Sequence, residues 1–64
     1  MAKEILRLPK VKNRTGLGRS SIYAKVSEGT FPPPISLGAR AVGWIAEEVD
    51  EWIERRIAES RKAA

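Results

Sequence analysis

A small, mostly helical α+β domain is the fold class this sequence predicts, and three observations predict it. The first is Gly16 to Gly29, GLGRSSIYAKVSEG, a glycine-bounded stretch in which Ile22 and Val26 lie four apart on one helical face. The second is the pair of short β-type runs Ile35-Ser36-Leu37 and Ala41-Val42-Gly43-Trp44, with Gly38-Ala39-Arg40 between them. The third is an apolar stripe at Ile45, Val49, Trp52, Ile53 and Ile57, spaced i, i+4, i+7, i+8 and i+12 as on one side of a helix. A chain of 64 residues holds one small core, so residues 1–64 read as a single domain.

In chain order, residues 1–4 read as a frayed start, and Ile5-Leu6-Arg7-Leu8 as a segment able to pair as an edge strand. Pro9 has no N–H to lose at the first position of a helix, so Pro9 to Arg14 reads as a short helix with Val11 inward and Lys10, Lys12 and Arg14 outside. Gly16 suits the left-handed position that ends such a helix, and Leu17 plugs the gap before the next one. That second helix runs from about Arg19 to Glu28, with Gly18 at its cap. Ile22 and Val26 form its buried edge, Arg19 and Tyr23 flank it, and Ser20, Ser21, Ala24 and Lys25 face away. Two helices so joined make a helix-turn-helix over about residues 9–28.

Thr30-Phe31-Pro32-Pro33-Pro34 cannot be helical and reads as a rigid spacer beside a core Phe31, rather than as a proline-rich ligand. The two short strands then make a hairpin over about residues 35–45 with Arg40 at its tip, the position of a wing. The last helix, about residues 46–61, places Glu47, Glu48, Asp50 and Glu51 at its positive end and Arg61 and Lys62 at its negative end. Trp52 and Ile53 are expected in the core, and the stem of Arg56 over apolar surface. The elements together predict a small winged helix-turn-helix with a C-terminal amphipathic helix.

Charge separates along the chain. Up to Ile45 there are eight Lys/Arg against two acids, whereas from Ala46 onward there are four against six, within a net charge of +4. A basic front on an acidic back is the electrostatic footprint of a phosphate-binding domain. The absence of cysteine and histidine removes a disulfide scaffold, the usual zinc ligands and the common nucleophile–base pairs, so no metal, no cofactor and no enzyme are expected. The longest apolar run, Ala41 to Ala46, is far short of the roughly 18 residues of a membrane span, and no apolar signal segment opens the chain. A reducing cytoplasm and no membrane partner are the expectation.

Three short motifs carry no chemistry. Gly16-x-Gly18 lacks the third glycine and the βαβ unit of a dinucleotide fingerprint, and Asn13-Arg14-Thr15 matches a glycosylation pattern in a chain without a secretory signal. Ser20, Ser21 and Tyr23 have no base or catalytic shell to make them nucleophiles. What the residues support is binding of duplex DNA, with the second helix in a major groove and Arg40 at the backbone or minor groove. Lys10, Lys12, Arg14 and Lys25 supply phosphate attraction.

The stretch from Arg7 to about Ile57 also resembles the AlpA family of phage and prophage regulators, small excisionase-like winged helix-turn-helix proteins. The resemblance rests on Thr15-Gly16-Leu17, Ser20-Ser21-Ile22-Tyr23, Gly29-Thr30-Phe31-Pro32, and Leu37-Gly38 with Arg40-Ala41-Val42-Gly43-Trp44 before a Trp52-bearing helix. It implies a cytoplasmic bacterial or phage DNA-binding protein that activates prophage genes, or a recombination directionality factor that bends DNA. RNA polymerase or a phage integrase is the protein partner it implies. It also implies that Arg19, Ser20, Ser21, Tyr23 and Arg40 belong to the DNA-contacting set. The chain departs from the family's pattern at Gly18, commonly a serine cap, at Ala24, often basic, and at Pro33 and Ser36, frequently lysines. The remoter alternative is a terminase small-subunit recognition domain, which would continue into an oligomerisation segment. A monomer that assembles on adjacent DNA sites is expected.

Overall fold

The computed structural model describes residues 3–63; Met1, Ala2 and Ala64 lie outside them, and with Met1 and Ala2 the first half of the expected frayed start. The second half is tied down. Lys3 pairs with Glu47, and the carbonyl of Glu4 accepts a hydrogen bond from the Ala46 backbone N–H at 2.9 Å. The chain then runs through β1 (Ile5–Leu6), α1 (Leu8–Thr15), α2 (Arg19–Glu28), β2 (Ile35–Ser36), β3 (Val42–Ile45) and α3 (Ala46–Ala63).

The three strands form one antiparallel sheet in the order β1-β3-β2. Ile5 pairs with Ile45 and Leu6 with Trp44 on one side of β3, and Ile35 pairs with Gly43 and Ser36 with Val42 on the other. The expected wing is therefore present, and the expected edge strand joins it to close a three-stranded sheet. The edge strand and the first wing strand are shorter than the alternation suggests, and the second wing strand keeps its four residues but lies one position later. Leu8 belongs to α1 and not to the strand, with Arg7 as the helix's extended N-cap residue. Pro9 accordingly occupies the second helical position rather than the first, where its missing N–H again costs no intrahelical bond. Leu37 lies beyond β2, yet its N–H still reaches the Ala41 carbonyl at 2.7 Å, which closes the hairpin.

The helix ends follow the glycines. Gly16 at φ 73° and Gly29 at φ 82° are both left-handed, a conformation that costs a residue with a Cβ about 1–2 kcal/mol. After Gly29 the N–H of Thr30 returns to the Lys25 carbonyl at 2.9 Å, so the helix terminus is satisfied before the prolines begin. At the first turn, Thr15 Oγ1 donates to the Val11 carbonyl and accepts from the Leu17 N–H. This fixes Leu17 against the core, between the two helices as expected.

The core consists of Leu6, Val11, Ile22, Phe31, Trp44, Ala46 and Val49, contributed by every helix, two strands and the spacer. Here the sequence reading needs correction. Trp52 and Ile53, expected at the centre, are only half-buried and pack on its rim, and Ile57 is 44% exposed. Ile45, read as the first residue of the helical stripe, belongs to β3 instead, and α3 extends past the small body it packs on, so only its first turns meet the core. Trp44, read simply as a strand residue, is the largest fully buried side chain. Its Nε1–H donates to the Pro32 carbonyl at 2.9 Å, and no buried side-chain polar atom among the described residues is left without a partner.

This difference in burial is measurable. Trp44→Ala is expected to lower the unfolding free energy by about 3–5 kcal/mol, enough to abolish the folded state of so small a domain. Ile57→Ala, by contrast, should fall within about 0.5 kcal/mol of the parent in a urea melt.

Candidate nucleic-acid interface

The sequence of α2 divides its surface sharply. Ile22 is fully buried and Val26 half-buried against the core, while Arg19, Ser20, Ser21, Tyr23, Ala24 and Ser27 are exposed. Small and hydroxyl side chains therefore line the outer side of this helix, as the spacing predicts. Ser27 was not singled out by that spacing argument, yet it stands in line with Ser20 and Ala24 at i, i+4 and i+7 and extends the face by one turn. Helical periodicity alone is the signal that finds it.

Arg19 and Tyr23 are brought together. The Arg19 guanidinium carbon lies 5.8 Å from the centre of the Tyr23 ring, a cation–π distance, and the Tyr23 ring meets Trp44 edge-on at 6.1 Å. The arginine at the entry of α2 thus rests on a ring that is itself seated on the buried tryptophan of β3. Tyr23 is 37% exposed, so one side of the ring packs and the rest stays open.

Lys25 does not face outward with Ser20 and Ser21. It is half-buried and sits beside Thr30, Trp52, Arg55, Arg56 and Glu59, in a shallow groove between the end of α2 and α3. The helical wheel explains the displacement, since residue 25 falls about 60° from the buried Ile22, on the flank opposite Tyr23. Arg55, which the charge pattern placed only at the back of the molecule, lines the same groove.

Arg14 is also placed differently from its expected role. Its guanidinium donates to Asp50 Oδ1 at 2.8 Å and lies 4.0 Å from a Glu4 carboxylate oxygen, so it joins α1 to α3 and the N-terminal segment. The other cations of the front differ. Among the described residues, Lys10 and Lys12 on α1, Arg19 and Lys25 on α2, and Arg40 at the hairpin tip make no ion pair, whereas Lys3, Arg14 and Arg56 do. Lys10, Lys12, Arg19 and Arg40 are all exposed. Arg40 follows Gly38, at φ 159°, in a turn closed by Ser36 Oγ donating to the Gly38 carbonyl.

Residues 4–57 match the family model described as prophage CP4-57 regulatory protein (AlpA). The chain belongs to the AlpA family. It is 43% identical over 61 residues to a protein of Escherichia coli K12 named DNA-binding transcriptional activator AlpA, covering 86% of this chain and 87% of that one. A protein of Enterobacteria phage P4 named uncharacterized protein ORF88 is 45% identical over 56 residues, covering 88% of this chain but 64% of the phage protein. Among the described residues, no helix of this AlpA-family chain is long and apolar enough to cross a membrane.

The arrangement separates structural from available charge. Arg14→Gln should lower stability by no more than about 1 kcal/mol, because the pair it breaks is largely solvent-exposed, and the loss should shrink as salt is raised in denaturant titrations.

Proposed function

We propose that this chain is a cytoplasmic transcriptional regulator of the phage type that binds duplex DNA. In this reading α2 lies in the major groove, with Arg19 at its entry and Ser20, Ser21 and Tyr23 at the groove wall, and Arg40 on the wing reaches the flanking backbone or minor groove. Lys10 and Lys12 attract phosphates from α1. Lys25 approaches a backbone strand from the side of α2 rather than from the groove floor, and Arg14 contributes through the field of the molecule while it holds α1 to α3.

One observation carries the reading. Among the described residues, Lys10 and Lys12 of α1, Arg19 and Lys25 of α2 and Arg40 of the wing are left without carboxylate partners, while the acids of α3 pair with Lys3 and with Arg14 of α1. Unpaired cations beside a helix face of small side chains suit a polyanion that approaches closely. The E. coli relative's name, DNA-binding transcriptional activator, supports the same class of partner. Serine and alanine on α2 offer few bidentate base contacts, so positioning on the backbone and reading of DNA shape carry a large share of recognition, with Arg19 the strongest base reader.

Affinity for a duplex selected from a random pool should fall steeply with salt, with a slope of log affinity against log salt near −5 if about half a dozen phosphates are contacted. A slope near zero would sink the proposal. Arg19→Ala and Arg40→Ala should each weaken binding by about 1–3 kcal/mol if they make specific bidentate contacts, with the melting curve of the free protein unchanged.

A further inference from the structure

Arg19 is the first residue of α2, one turn before Tyr23, and no carboxylate holds it there. Gly18 supplies no side-chain cap, the first turn of α2 contains no acid, and a cation at the positive end of a helix is disfavoured. Among the described residues Arg19 makes no ion pair. Its guanidinium instead lies over the Tyr23 ring, 5.8 Å from carbon to ring centre. A tyrosine on an exposed helix face can turn between rotamers unless a neighbour stops it. Trp44 is that neighbour: its ring meets Tyr23 at 6.1 Å and 63°, it is fully buried, and its Nε1–H is held by the Pro32 carbonyl at 2.9 Å. The Tyr23 hydroxyl, by contrast, makes no hydrogen bond among the described residues.

We propose that Tyr23 is a positioning residue, whose ring, seated on Trp44, fixes the Arg19 guanidinium before DNA arrives. The inference rests on the reading of Arg19 as a base-contacting side chain, and it gives Tyr23 a role exercised through Arg19 rather than through its own hydroxyl. A guanidinium is planar and forked, so a bidentate contact to a guanine edge depends on the plane in which it is presented. A free arginine loses rotamer freedom when it docks. One already held on a ring has lost much of that freedom in the folded protein, and the difference is worth about three- to tenfold in affinity. An aromatic seat suits this task better than a carboxylate. It holds the guanidinium by its face and leaves the N–H groups at the edge open to acceptors, whereas an ion pair would occupy those donors. The seat also leaves the charge unaltered, so attraction to phosphates persists without it and only the direction of Arg19 is lost.

The test uses the full chain, a duplex selected from a random pool, and single-base-pair variants of that duplex. Arg19→Ala locates the base pair at which selectivity relaxes. Tyr23→Leu, which keeps bulk against Trp44, should weaken binding to the selected duplex about three- to tenfold, relax selectivity at that same base pair and leave the salt slope as in the parent. Tyr23→Phe, which keeps the ring, should bind within about twofold of the parent. On an Arg19→Ala background, Tyr23→Leu should cost less than about twofold. In the free protein, the Arg19 side-chain protons should show upfield ring-current shifts that Tyr23→Leu removes and Tyr23→Phe keeps. Equal losses for Tyr23→Phe and Tyr23→Leu, an undiminished loss on the Arg19→Ala background, a loss spread evenly over all duplexes, or absence of the ring-current shift in the parent would each overturn the inference while leaving DNA binding intact. A parent chain that binds no duplex, or an Arg19→Ala chain that relaxes no base pair, would instead overturn the reading beneath it. Circular dichroism melts establish that the variants fold, and the ring-current shift is read on the parent chain in any case.

Discussion

Burial of Trp44 is the constraint on which the rest of this small structure depends. The residue sits in β3, the central strand, so it is held by pairing with β1 on one side while β2 pairs further along the same strand. Its indole fills the space between sheet and helices and makes contact with Leu6, Ile22 and Val49 meaningful as one core. Burying an indole also removes a donor from water, and the Pro32 carbonyl compensates. The proline spacer is therefore more than a link between α2 and the wing: its fixed, extended backbone presents an acceptor where the tryptophan requires one. Trp52 repeats the arrangement at the rim, donating to the Thr30 carbonyl at 2.6 Å and meeting Phe31 edge-on at 4.8 Å.

The same tryptophan links stability to the candidate interface. Tyr23 rests on it, and Arg19 rests on Tyr23, so the orientation of the first charged side chain of α2 is set by a residue in the wing strand. Helix and wing are thereby joined through one chain of side-chain contacts.

Charge is distributed to serve both tasks. The acids of α3 hold the N-terminal segment through Lys3 and α1 through Arg14, stitching the chain's beginning to its last helix. Such exposed pairs add little stability individually. Their consequence is subtraction: the cations used in this way, Lys3 and Arg14, are withdrawn from the basic front. Arg56, whose guanidinium carbon lies 5.9 Å from the centre of the Trp52 ring and which pairs with Glu59, belongs to the structural group in the same sense.

Local chemistry was enough to determine the order of elements, the glycine helix ends, the hairpin with Arg40 at its tip, and the buried and exposed sides of α2 at Ile22, Ser20 and Ser21. Each of these follows from backbone freedom or from periodicity within a few residues. Other features waited on tertiary structure because they join segments distant in the chain. Trp44 rather than Trp52 became the centre, since a helix stripe says which side is apolar and not how far along it the body extends. Arg14 was drawn to Asp50, 36 positions away, and Lys25 to the groove beside Trp52, since charge composition carries no distances. The aliphatic outer face of the sheet emerged only when register placed Ile5 with Ile45 and Ile35 with Gly43, because which face a strand residue occupies is decided by its partners across the ladder.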